Sequence, residues 1–239
     1  DRGVLMYPYY LRLASKLPEL ANRLQATTLF KKMAGVSPQR QLPAFALVPF
    51  TKGVERAVNA ESSGQNVILL VDIFTQYQNP QIAEDAVTVL KAASLTVHPV
   101  LMKTSPRQLI SQGLLAEAKT ASQQLLGQIN AHPREFLIVG LEPSELLVLR
   151  DELVSLVGAE YKEQASEIKS RAFLLEELLA TQFSSHNAVT ERFTQLLKQD
   201  PVRVAIHTHC HQKSWVGNTS IEIVFSLLPG VTFSVLKTG

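Results

Sequence analysis

A single cysteine, Cys210, is all that 239 residues contain, which excludes an internal disulfide framework and fits a reducing compartment. No stretch approaches the ~18 uninterrupted apolar residues that a membrane-crossing helix needs. Nor does a charged-then-apolar leader with a small-residue cleavage site open the chain. Aromatics are sparse at 7%, and 23 basic against 21 acidic side chains leave a formal charge of +2 with no basic block or aromatic-interleaved stripe. Nucleic acid is therefore not an expected partner. GxGxxG and GxxxxGKS/T are both missing, so nothing binds FAD by motif, and no nucleophile–base pair stands out. What remains is a globular chain whose 46% apolar content is ample for a core and whose length allows one large or two small domains. It begins at Asp1 rather than Met, as expected of a processed chain or a piece of a longer one.

Residues 1–35 carry leucines at mixed three- and four-residue steps, which predicts two amphipathic helices punctuated by Pro8 and Pro18. Tyr7, Tyr9 and Tyr10 near the start suit core or partner packing, or a membrane-interface aromatic group. Ser37 to Pro43 breaks helix and sheet alike, so residues 1–43 are read as a helical leader wrapped on the α/β domain of residues 44–239.

From Val67 short β-branched runs alternate with long helical ones, the pattern of a parallel sheet covered by helices. Strands are expected at Val67–Val71, Thr96–Leu101, Glu135–Val139, Val202–Ile206 and Val231–Leu236. Helices are expected near Pro80–Ala93, Pro106–Ile129, Ser144–Val157, Arg171–Gln182, Val189–Gln199 and Thr219–Leu228. Asn79-Pro80, Ser105-Pro106 and Pro143-Ser144 supply start signals. A weak repeat adds a duplication. Val67 to Asp72 and Val204 to Cys210 are each a strand ending in a ligand-capable residue, each followed by a helix and a strand ending in Lys-Thr, at separations of 32 and 28 residues. The fold class is thus α/β, with duplicated βαβ halves, about 66–140 and 200–239, joined by a helical segment and preceded by the leader.

The densest chemistry is His207-Thr208-His209-Cys210-His211-Gln212-Lys213, directly after a strand. Extended backbone would put His207, His209 and His211 on one face with Cys210 opposite, whereas a turn would bring Cys210 round to join them. The run can cap the sheet end, hold zinc by itself, or form part of a metal or cluster site completed by residues outside the chain. Asp72 falls at the carboxyl end of the first strand, where such sheets gather ligands, as a ligand or as the acceptor of a turn. Glu142 and Glu145 flank a helix start that suits carboxylates, with Glu145 a candidate to face the same cavity as Asp72 and Cys210. Lys103 and Arg107 are solvated or attract an anionic substrate or flavin phosphate.

Several segments resemble the cysteine-rich (Cys-Cys-Gly) domain of iron–sulfur oxidoreductases, and most of all the carboxyl-terminal region of FAD-linked D-lactate and D-2-hydroxyglutarate dehydrogenase-like oxidases. Asp72-Ile73-Phe74-Thr75-Gln76-Tyr77 with Asn79-Pro80 is similar to that group's Asp-Thr-Phe-Thr-Asn-Tyr segment. Gln112 to Leu115 with Ala118-Lys119, Glu142-Pro143-Ser144 with Arg150-Asp151-Glu152, and His209-Cys210-His211-Gln212-Lys213 resemble its further motifs. Leu20 to Leu24 and Arg40 to Pro43 look like the linker after its ferredoxin-type module.

The resemblance implies an electron-relay or cluster-organising role in a D-2-hydroxyacid oxidoreductase, with flavin and ferredoxin-type modules as partners and FAD on an upstream part. It also implies a cytoplasmic place, or one peripheral to the inner membrane. Cys210, His209, His211, Asp72 and Glu145 become the implied cofactor-binding positions. The departures are large, however, because iron–sulfur clusters take thiolates. Thr104, Ser105 and Pro106 stand where the first Cys-Cys-Gly would be, and Glu145 stands at the cysteine of Glu-Pro-Ser-Cys. A second Cys-Cys-Gly would be expected directly after Gly239. The readings left open are a fragment whose cluster is completed outside it, a non-catalytic scaffold with degenerate sites, and a zinc-binding domain; in each the fragment alone is expected to turn over no hydroxy acid.

Overall fold

The computed structural model describes residues 2–52, 64–185, 191 and 201–236. The expected helix at Val189–Gln199 and the pair Lys237-Thr238 lie outside these, save Glu191, which is helical. Three helices open the chain, α1 (Arg2–Ala14), α2 (Pro18–Ala26) and α3 (Thr28–Met33), where two were expected. Helix α1 runs through Pro8, which is buried, so Pro8 does not end it. The α/β part follows as β1 (Asn66–Val71), α4 (Ile73–Tyr77), α5 (Pro80–Ala92), β2 (Thr96–Leu101), α6 (Pro106–Ser111), α7 (Leu115–Asn130) and β3 (Leu137–Gly140). Next come α8 (Pro143–Arg150), α9 (Leu153–Leu156), α10 (Lys162–Ser170), β4 (Ala172–Leu174) and α11 (Leu175–Ser185). The last elements are β5 (Val202–Ile206), α12 (Cys210–Trp215), α13 (Thr219–Ser226) and β6 (Val231–Val235).

Four strands form one parallel sheet in the order β2-β1-β3-β4, with Val67 opposite both Val97 and Leu137. Strand β1 is apolar at Val67 to Val71 because both its faces are covered. Val67, Leu69 and Val71 pack with Ala83, Val87 and Leu90 of α5 and Leu178 of α11. Ile68 and Leu70 face the other way, onto Leu125, Leu126 and Ile129 of α7 and Leu146 and Leu149 of α8. Each fully buried Leu or Ile here contributes about 1.5–3 kcal/mol through burial. A separate two-strand parallel sheet, β5-β6, is attached by α13, whose Val224 joins the cluster of α11. The N-terminal helices pack against this part of the chain. Leu11 and Ala14 meet Phe45, Ile73 and Tyr77, and Asn22 holds both backbone groups of Phe45 at 2.7 and 2.9 Å.

The differences from the sequence reading have local causes. Gly113, at φ +72°, divides the long helix expected at Pro106–Ile129 into α6 and α7. The helix expected at Ser144–Val157 breaks after Arg150, and the strand expected at Glu135–Val139 begins two residues later. Strand β4 was read as the start of a helix; three residues running straight into the 3.6-residue pattern of α11 leave no separate signal.

Gly140 ends β3 where α8 crosses it closely. A Cβ there would lie 2.7 Å from Leu146 Cβ. Gly140→Ala is therefore expected to push α8 off the sheet and cost roughly 1–3 kcal/mol, read as a lower urea midpoint. An unchanged midpoint would show that α8 yields freely.

Candidate functional site

In the order β2-β1-β3-β4 the chain leaves β1 on one side, returns on the other, and so places a topological switch between β1 and β3. Ligands of open parallel sheets bind outside the carboxyl ends of the strands at such a switch. Here those ends deliver Asp72 after β1, Ser105 after β2 and Glu142 with Glu145 after β3, around an open cleft of about 390 Å³. Arg107, Gln108 and Asn79 complete its polar lining.

Asp72 is committed to the loop. Its Oδ1 accepts from the amides of Phe74 (2.8 Å) and Thr75 (3.0 Å), capping α4, and its Oδ2 accepts from Thr75 Oγ1 at 2.6 Å. Beside it the buried Gln76 amide donates to the carbonyls of Val71 (2.8 Å) and Met102 (2.9 Å), tying the ends of β1 and β2 together. Sequence reading missed Gln76, since a glutamine inside a short helix carries no pattern of its own.

Ser105 caps α6 by accepting from the Gln108 amide (2.9 Å), and its hydroxyl donates to Glu145 Oε1. Glu145 is 7% exposed, and its second oxygen, Oε2, is buried without a hydrogen-bond partner. Burial pushes its carboxyl up to about 7, with the charges of Asp72 and Glu142 adding to the rise and the bonds from Ser105 and the Arg107 backbone opposing it. The result is an acid that exchanges its proton near neutrality. Glu142 caps α8 through Ser144, taking its amide at 3.2 Å and its hydroxyl at 2.6 Å.

The second motif reaches the same edge from the other sheet. Strand β5 ends at Ile206, and His209 caps α12, its Nδ1 accepting from the His211 amide at 3.3 Å. The chain therefore turns, and the shared strand face of His207, His209 and His211 does not arise. His209 Nε2 lies 3.8 Å from Glu142 Oε1, bringing the loop after β5 to the loop after β3. Cys210 is exposed and does not line the cleft, so it does not share the cavity of Asp72 and Glu145. Gln212, by contrast, is buried and donates to Glu176 Oε1, and burial raises the Glu176 carboxyl. Arg107, read as solvated or as an anion attractor, is engaged by Glu152 at 2.5 Å. Lys103 contributes its carbonyl to Arg12.

Among the described residues, the group of three or more His, Cys, Asp and Glu side chains with ligand atoms mutually within 4.8 Å is Asp151, Glu152 and His211. Of the proposed metal ligands only His211 belongs to this group; His207, His209 and Cys210 do not. With one thiol in the chain, the residues present do not by themselves fit an iron–sulfur cluster. No helix among the described residues is long and apolar enough to cross a membrane. Comparison with protein-family models, with curated proteins and with solved structures finds no match to this chain.

Proposed function

We propose that the chain is a thiol-depleted domain of the cysteine-rich type, from the carboxyl-terminal part of a cytoplasmic FAD-linked oxidoreductase of D-2-hydroxyacids. Its role there is to organise flavin and ferredoxin-type modules, and Cys210 offers one thiolate to a cluster whose other ligands come from outside these residues. One observation carries the reading: Ser105 and Glu145, which stand at two separate thiolate positions of the family pattern, meet in a direct hydrogen bond at the switch point. Positions that ligate one cluster have to converge, and a serine paired with a buried carboxyl group fills the place that thiolates would take. The duplication of βαβ halves belongs to the same reading, supported by a second parallel strand pair, β5-β6, whose first strand is followed three residues on by His209, the cap of a short helix.

The scaffold variant of this reading is favoured by Asp72, whose oxygens are all spent on its own loop. Iron, acid-labile sulfide and zinc content of the purified chain, with turnover of D-lactate by a dye assay, tests both. The expected outcome is no turnover and less than one full cluster per chain, with any bound iron lost on Cys210→Ser and unaffected by Ser105→Ala. A full cluster that survives Cys210→Ser, or dye reduction by the chain alone, overturns the reading. One zinc per chain, lost on His211→Ala, would instead identify a zinc-binding domain.

A further inference from the structure

Each of the three leader helices buries one face and leaves a stripe of large apolar side chains uncovered. On α1 the uncovered pair is Tyr9 and Leu13, on α2 Leu20 and Leu24, and on α3 Leu29 and Met33, the last two 71% and 81% exposed. Every pair is spaced by four residues and so shares a helix face. Soluble surfaces rarely leave so many large apolar groups in water within one short segment.

The charge of the same segment is lopsided. Residues 1–43 hold seven basic and two acidic side chains, a net of +5, so the other 196 residues carry −3 within the chain total of +2. Lys16, Arg23 and Lys32 are exposed among the leucines. An open cleft of about 360 Å³ brings Lys16, Leu17, Leu20, Arg23 and Leu47 onto one patch with a single acid, Glu19.

This mixture discriminates between occupants. The core of a protein–protein interface is depleted of lysine, though not of arginine, so Lys16 and Lys32 interleaved with the leucines fit it poorly. At a bilayer surface the same mixture is favourable, because leucines enter the acyl boundary while lysine and arginine bury their stems and keep their heads at the phosphates. The net −3 of the remaining residues would be held away from an anionic surface by the same field that draws the leader in. We propose that the exposed face of α1–α3 docks on an anionic lipid bilayer, lying in its surface. This docking is independent of what the switch-point cleft holds.

Sedimentation of the chain with large vesicles tests it, comparing phosphatidylcholine alone with phosphatidylcholine containing about a third phosphatidylserine, at low and high salt. The chain is expected to sediment with the anionic vesicles, much less with the neutral ones, and less as salt rises. Arg23→Glu is expected to weaken binding about fivefold or more, since a cation near the surface is replaced by an anion. Leu20→Glu with Leu24→Glu is expected to weaken it about tenfold or more. These side chains are exposed, so the circular dichroism and melting temperature of the variants serve as a check that the fold is intact. Absence of binding to either vesicle overturns the proposal, as does binding that ignores the leucine variants. A protein-only assembly that Leu20→Glu dissolves, with no vesicle binding, overturns it too and assigns the face to another copy of the chain.

Discussion

Glu145→Gln is expected to raise stability by up to about 3 kcal/mol at pH 8 and to change little near pH 4.5, because a buried acid with its carboxyl at about 7 instead of 4.5 is costly to ionise in the native state. Below about 4.5 the acid is protonated folded or unfolded, and its stabilising preference for the folded state is fully present. Between 4.5 and about 7 the native state alone keeps the proton, so stability falls as pH rises through that window. Above about 7 the loss is complete. A glutamine side chain at this position would occupy the same volume, accept the Ser105 hydroxyl and stay neutral throughout. Urea midpoints of the two proteins measured from pH 5 to pH 8 should diverge with rising pH; parallel curves would show that Glu145 is ionised or solvated in the native state.

Asp72→Ala is expected to cost about 2–4 kcal/mol, since it removes the cap of α4 and strands three donors, the amides of Phe74 and Thr75 and the buried Thr75 hydroxyl. Asp72→Asn keeps one acceptor oxygen and should lose less. Both changes also delete a negative charge that raises the Glu145 carboxyl, so the fall of stability with pH should be complete at a lower pH than in the parent chain. Thermal melts and the pH series together separate this loop role from ligation. A melting temperature unmoved by Asp72→Ala, with bound metal lost, would make Asp72 a ligand instead.

Much of the architecture is legible in the sequence because it follows from patterns that depend on near neighbours. Alternating apolar runs and capped helices locate β1, β2, α5 and α13 almost to the residue, and Asn79-Pro80 and Ser105-Pro106 mark true helix starts. Strand β4 is lost because three residues carry no period, and the break after Arg150 is lost because no glycine or proline marks it. The site divides in the same way. Asp72, Glu145 and Ser105 could be placed at strand ends from the chain order, since parallel topology sends all such ends to one edge. The bond from Ser105 to Glu145, the clamp of Gln76 across two strands and the separation of Cys210 from the cleft depend on how α8 and α12 pack, which no local spacing encodes.

The central place of β1 also sets an order of events during folding. Its pairing with β2 closes some thirty residues and its pairing with β3 some seventy, as in Val67 with Val97 and with Leu137. Non-local parallel pairing of this kind is slow, because chain closure is costly before contacts reward it. Until β3 arrives, the run Val67-Ile68-Leu69-Leu70-Val71 is a five-residue apolar strand with an open edge, the kind of segment through which nascent chains associate. Asn66 and Asp72 bracket it. Asp72, spent in the native state on capping a helix, is in the unfolded chain a charge at the mouth of an aggregation-prone segment.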